Sequence, residues 1–165
     1  MQLVLANSSH TTIIKDLAYA IWPSAYGEIL SSEQLTYMLG MFYSEMALKQ
    51  QMEEKGHVFY LAKNDTGKYV GFVAYEINFE PHKTKIHKIY VLPETQGTGV
   101  GKLLFNLVVE KAKENNQKAV FLNVNKYNTA KDFYTKLGFT IIKEEVIDIG
   151  KNYIMDDYVM EIVLK

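Results

Sequence analysis

The chain has 165 residues, 48% of them apolar and 13% aromatic, which fits one globular domain spanning 1–165 with a full core and excludes a disordered chain. Its net charge of −1 argues against bulk attraction to nucleic acid or to an anionic membrane, and no apolar run reaches the ~18 residues that a membrane helix needs. With no cysteine, disulfides, zinc–thiolate sites and a cysteine–acyl intermediate are excluded.

The first residues, Met1 to Asn7, lack the basic flank and long apolar segment of a signal peptide, so a cytoplasmic location is the expectation. Residues 2–6 read as a short strand. A helix follows over about 11–21, with Ile13, Ile14, Leu17, Ala18 and Ile21 at helical spacing, and Pro23 is expected to stop it. Two more helices are expected near 32–40 and 44–55, the second ending at Gly56. The period then changes. Val58–Lys63 and Tyr69–Ile77 read as strands joined by the turn Asn64-Asp65-Thr66-Gly67-Lys68, and Thr84–Leu92 as a third strand between Pro81 and Pro93. A helix over about 99–115 carries Val100, Leu103, Leu104, Leu107, Val108 and Ala112 on one face. Lys118–Asn125 reads as a buried strand and Asn128–Leu137 as a helix capped by Gly138; two strands, about 139–147 and 153–164, close the chain. The expected class is α+β, with a mixed, mostly antiparallel sheet, flanking helices and one βαβ crossover. Histidines 10, 57, 82 and 87 have no metal-motif spacing, so no metal site is expected.

The most informative segment is Gln96-Gly97-Thr98-Gly99-Val100-Gly101-Lys102, between an apolar strand and an apolar-faced helix. Alternate glycines leave backbone N–H groups uncovered, and the helix start adds more of them with the positive end of its dipole. Such a turn binds phosphate or pyrophosphate. The nucleotide-triphosphate loop is ruled out by the short Gly97–Gly101 separation and by Leu103 after Lys102. The dinucleotide fingerprint fits poorly, because position 102 is Lys and the turn comes late in the chain.

The segment resembles the Gln/Arg-x-x-Gly-x-Gly/Ala loop of the GNAT family of N-acetyltransferases. The likeness begins at Ile89-Tyr90-Val91-Leu92-Pro93 and resumes at Leu122-x-Val124, Asn128, Ala130, Phe133-Tyr134 and Leu137-Gly138-Phe139. It implies a GNAT-like fold and acetyl transfer from acetyl-coenzyme A, with Gln96, Gly97, Thr98, Gly99, Val100, Gly101 and Lys102 cradling its pyrophosphate. It implies main-chain contacts from Val91 and Leu92 to the pantetheine arm, as in strand addition, with one N–H polarising the thioester. Asn128 reads from the residues as a helix N-cap, and the resemblance adds a cofactor contact. Tyr134 lies on an apolar helix face and its hydroxyl needs a partner. In the family, the matching tyrosine protonates the departing thiolate. His87 stands where many members carry a glutamate, and a neutral imidazole there serves as proton acceptor.

For the acceptor, Asp156 and Asp157 interrupt an apolar strand and face opposite ways, so at most one points inward, where a carboxylate favours a cationic amine. The layout is similar to polyamine acetyltransferases, and Trp22, Tyr26 and the helix at 33–42 are expected to wall the acceptor pocket. The partner implied is a small-molecule amine, neither nucleic acid nor membrane. Acetylation of protein N-termini or lysines is the enzymatic alternative; a non-catalytic acyl-coenzyme A-binding module is another. Homodimers are common in the family, and no stripe of this sequence requires one.

Overall fold

A computed structural model describes residues 1–165. Its elements are β1 (Gln2–Leu5), α1 (Thr11–Tyr26), α2 (Ser32–Tyr43), α3 (Glu45–Glu53), β2 (Val58–Lys63), β3 (Tyr69–Glu80), β4 (Lys83–Val91), α4 (Val100–Glu114), β5 (Ala119–Asn125), α5 (Ala130–Leu137), β6 (Thr140–Gly150) and β7 (Tyr153–Val163). One seven-stranded sheet runs through the molecule in the order β1-β2-β3-β4-β5-β7-β6. All its pairings are antiparallel except β4 with β5, which α4 connects as a βαβ crossover. The expected class and crossover are therefore those observed. No helix is long and apolar enough to cross a membrane.

Local chemistry sets most boundaries. Ser31 and Ser44 accept from the backbone N–H of Gln34 and Ala47 and so cap α2 and α3. Asn64 Oδ1 accepts from the N–H groups of Thr66 and Lys68 and closes the β2–β3 turn. Gly138, at φ 108°, takes the left-handed conformation that ends α5. One apolar core joins the helices to both faces of the sheet. On one face α4 packs Val100, Leu104, Phe105, Val108 and Ala112. The opposite face carries α1, whose Trp22 contacts Tyr90 of β4, and α2, whose Tyr43 meets Phe72 of β3 edge-on.

One expected boundary is wrong in an instructive way. The first helix does not stop at Pro23 but continues through it to Tyr26. Proline removes the N–H that would bond to Tyr19, yet its own carbonyl still accepts from Gly27 N–H at 2.9 Å. The extra turn is held by the Trp22 and Tyr26 rings, 4.7 Å apart, packed over Tyr90. Burial of these aromatics outweighs the single lost hydrogen bond. The last turn thereby carries Tyr26 to the functional cleft.

Candidate active site

β4 and β5 pair only from Lys83↔Ala119 to Ile86↔Leu122, and then diverge. The divergence begins at a bulge: β3 pairs Tyr75 with Ile86 and Ala74 with Lys88, so His87 is the extra residue. Beyond it, Leu92 N–H donates to Val70 O, which places Tyr90 and Leu92 in the pairs bonded to β3. Ile89 and Val91, alternating with them, turn their N–H and C=O groups toward the opened edge.

The opening is a cleft of about 630 Å³, lined by β4 from Ile86 to Val91, the glycine turn, Leu122–Val124 of β5, α5 and the end of α1. At one mouth, Gly97 and Gly99 have φ of 81° and 91°, and nothing lies within 4 Å of where a Cβ on either would stand. The successive N–H groups from Gly97 to Lys102 make no hydrogen bond within the chain, and they sit at the start of α4. Free donors, a helix dipole, the Lys102 side chain and open space together fit an anionic phosphate group. Thr98 Oγ1 donates to Thr95 O at 2.6 Å and pins the turn, while the Val100 side chain is buried in the core, so neither lines the cleft. Gln96 lines the cleft and reaches Val91 O with its Nε2 at 3.4 Å.

Leu92 departs from expectation. Its N–H is spent on Val70 and its C=O accepts from Thr95 N–H, so it belongs to the turn and core rather than to the open strand edge. Asn128 accepts from Ala130 N–H at 2.9 Å, as its capping role requires, and also lines the cleft. Tyr134 lines the same wall from α5, wedged edge-on against Phe133 and Phe139. Burial pushes its hydroxyl well above the ordinary tyrosine value, so it holds its proton at neutral pH.

Across the cleft, Tyr26 and Tyr90 share a hydrogen bond of 2.8 Å between their hydroxyls. Trp22 was expected to wall an acceptor pocket. It lies behind this pair, 4% exposed, among Tyr26, Phe42, Tyr43 and Tyr90, and supports them from the core. The helix expected to wall the pocket, α2, binds the β6–β7 hairpin instead, with Tyr37 Oη donating to Ile149 O and Gln34 Nε2 to Ile154 O. The two aspartates separate as their alternation demands. Asp156 is ion-paired with Lys126 at 2.9 Å, whereas Asp157 is 2% exposed and has only Asn123 Nδ2 as a hydrogen-bond partner, at 3.3 Å. The same Asn123 nitrogen donates to Glu145, and Asn123 lines the cleft. Burial raises the Asp157 pKa, and Glu145 and Asp156 raise it further by like charge; Asn123 and Lys85 pull the other way.

Sequence spacing gave no sign of a cluster formed by His57, Glu76 and His87. His57 precedes β2, whose Val58 pairs with Tyr75, so the register sets His57 beside Glu76. The Nε2 atoms of His87 and His57 lie 3.0 and 3.4 Å from the same oxygen, Glu76 Oε1. The two rings are stacked 3.8 Å apart and within 13° of parallel. Bonds to a common metal would have to lie in both ring planes, and these planes do not meet near Glu76; the one oxygen accordingly takes a hydrogen bond from His87 alone, with His57 Nε2 near it but making none. Burial lowers both histidines, His57 to about 4 and His87 to about 2; the stacked His57 lowers His87 further, and the nearby lysines lower both.

The chain is similar to known proteins over most of its length. The profile of the Acetyltransferase (GNAT) domain matches residues 28–155. An uncharacterized N-acetyltransferase in the pepI 3' region of Lactobacillus delbrueckii subsp. lactis is 29% identical over 147 residues, 85% of this chain and 82% of that protein. The ribosomal protein bS18-alanine N-acetyltransferase of Haemophilus influenzae is 37% identical over 68 residues, 41% of this chain and 43% of its own. The crystal structure of PaiA N-acetyltransferase from Thermoplasma acidophilum, in complex with coenzyme A, superimposes with a TM-score of 0.81 at 22% identity, covering 99% of this chain and 100% of that one. With the profile spanning most of its length, the chain belongs to the GNAT family and is an N-acetyltransferase that draws its acetyl group from acetyl-coenzyme A.

Proposed function

We propose that the enzyme acetylates a primary amine on a small, cationic, polyamine-like acceptor, by direct attack within a ternary complex. The observation that carries this reading is Asp157: a buried carboxylate beside the cleft, with a second carboxylate, Glu145, on the same asparagine and no cation within ion-pairing distance of it. An anion so placed is poorly compensated, and a cationic group entering the cleft would relieve it.

The roles divide between the two walls. The N–H groups from Gly97 to Lys102, with Gln96 beside them, hold the pyrophosphate, and the free N–H of Val91 holds the pantetheine arm. The bound donor supplies an activated thioester carbonyl. The amine nitrogen forms a bond to that carbon, and the carbon–sulfur bond breaks. Tyr134, protonated at neutral pH, gives its proton to the leaving sulfur, and His87, on the acceptor side of the bulge, takes the proton that the ammonium must lose. Asn128 steadies α5 and borders the donor arm. Tyr26 and Asp157 contact or attract the acceptor.

A thiol-release assay with acetyl-coenzyme A across linear diamines and polyamines, amino acids, aminoglycosides and peptides with free N-termini tests this. Turnover highest with the linear diamines or polyamines is the expected result. A preference for peptides with N-terminal alanine would favour the alternative suggested by the Haemophilus influenzae relative. Binding of coenzyme A with no turnover on any amine would favour a non-catalytic module.

A further inference from the structure

We propose that the proton acceptor is a three-residue unit in which Glu76 holds His87, with His57 stacked behind it, so that His87 Nδ1 takes the proton of the acceptor ammonium. The proposal deepens the reading above and rests on its assignment of His87 to the acceptor side.

Three observations converge on it. First, Glu76 Oε1 lies 3.0 Å from His87 Nε2 and 3.4 Å from His57 Nε2. An ionised carboxylate only accepts, so His87, the ring hydrogen-bonded to it, presents Nε2–H and keeps Nδ1 as the lone-pair nitrogen. Second, the two Nδ1 atoms differ. That of His57 is buried with no partner, whereas that of His87 has no protein partner, is not sealed from solvent, and belongs to a side chain lining the cleft. Third, His87 is the bulged residue of β4, so its ring sits where the strand opens beside the cleft. Stacking against His57 at 3.8 Å and edge contact with Phe79 fix the ring plane.

Burial and the nearby lysines oppose protonation of His87, and Glu76 is the one charge in the unit that favours it. With both imidazoles neutral the unit carries one negative charge, on Glu76. The ammonium transfers H⁺ to His87 Nδ1; the amine becomes neutral, and the imidazolium is paired with Glu76. The unit titrates as a coupled whole. Lys55, Lys85 and Lys88 face it and lower its proton affinity, which favours release of the proton to solvent afterwards. Lys85 is itself within the fields of Glu145, Asp157, Glu76 and Glu80, so its charge is partly offset. In this arrangement Glu76 and His57 are positioning residues and His87 is the catalytic one.

The test compares wild type, Glu76→Gln, His57→Gln and His87→Gln in the full chain. The rate is measured from pH 6 to 10 with 1,4-diaminobutane and acetyl-coenzyme A, and coenzyme A affinity by calorimetry. Glu76→Gln should lower kcat by about 100-fold and His87→Gln by at least as much, within the range for a lost proton acceptor, and His57→Gln by only about 10-fold, with coenzyme A affinity unchanged throughout. An unchanged kcat in Glu76→Gln, or a loss of coenzyme A affinity as large as the loss of kcat, would overturn the proposal. If wild type binds coenzyme A and acetylates no amine, the functional reading fails instead. The histidine unit is then judged by nitrogen NMR of the wild-type rings: an Nε2–H tautomer on His87 supports it, and an Nδ1–H tautomer on His87 overturns it.

Discussion

The two walls of the cleft are built from different material. The donor wall, from Val91 through the glycine turn into α4, is backbone: N–H groups left free by a strand that diverges and a helix that begins. The wall proposed for the acceptor is side chains drawn from distant parts of the chain, with Tyr26 from α1, His87 and Tyr90 from β4 and Asn123 from β5, backed by Glu76 of β3 and Asp157 of β7. Backbone recognition needs only a local conformation, which a short motif encodes. Side-chain recognition needs the register of several strands, which no local motif encodes. The donor wall is therefore suited to one shared ligand, and the acceptor wall is free to vary in specificity without disturbing it.

That contrast can be broken most directly at Tyr134, which borders both walls. Tyr134→Phe keeps the ring packing against Phe133 and Phe139 and removes only the proton donor. We expect kcat to fall by about 100- to 1,000-fold with coenzyme A affinity and melting temperature nearly unchanged, the signature of a lost general acid. Equal loss of affinity, rate and stability would reduce Tyr134 to a core residue. Next in size, Asp157→Asn keeps the shape of the acceptor wall and deletes its buried charge. About a 30-fold loss of kcat/KM for a diamine, roughly 2 kcal/mol, is expected, with a much smaller loss for an uncharged monoamine analogue. Equal losses for both acceptors would remove the electrostatic argument. On the donor wall, Gly99→Val forces a β-branched residue to φ 91°, where nothing obstructs the side chain but the backbone itself resists. Coenzyme A should bind about 10-fold more weakly, while the KM for the amine hardly moves, since the strain is of the order of 1–2 kcal/mol. A change confined to the amine KM would mean that the two walls are not separable.

The same division explains what could be read before the fold was known. The glycine turn, the Asn128 cap, the Gly138 stop and the βαβ crossover each lie in one continuous segment, and each was legible there. Trp22 was misplaced because Pro23 reads as a helix stop, whereas aromatic burial carries α1 onward to Tyr26 and turns Trp22 into the core. Leu92 was misplaced because the strand's last free N–H belongs to Val91; one residue later the chain bonds to Val70. Glu76 could not be seen at all: alone it is one polar residue on a strand, and only the β2–β3 register and the β4 bulge bring two histidines to it. Alternation did establish that Asp156 and Asp157 face opposite ways, but choosing the buried one required the position of Lys126.

A last consequence concerns stability. The acceptor half buries charges that the donor half does not, and Lys88 is the clearest of them. Its Nζ donates to Gln51 at 2.7 Å over the rings of Tyr43 and Phe59, and burial pulls its pKa down to about 7. An unfolded lysine titrates near ~10.4. Below pH 7 both states hold the proton, and the folded state bears the whole cost of the buried charge. Between the two values the unfolded chain binds more protons than the folded one, so stability rises with pH through that window and is flat above it. Lys88→Met removes the charge but strands Gln51 Oε1, which returns about 1 kcal/mol of the gain. The net should be a stabilisation of about 1 kcal/mol at pH 7, or roughly 2–4 °C in melting temperature, shrinking toward zero or below it near pH 10. A variant whose advantage stays constant from pH 7 to 10 would show that Lys88 titrates alike in both states. The acceptor half would then have to owe any deficit in stability to Asp157 and Glu76 alone.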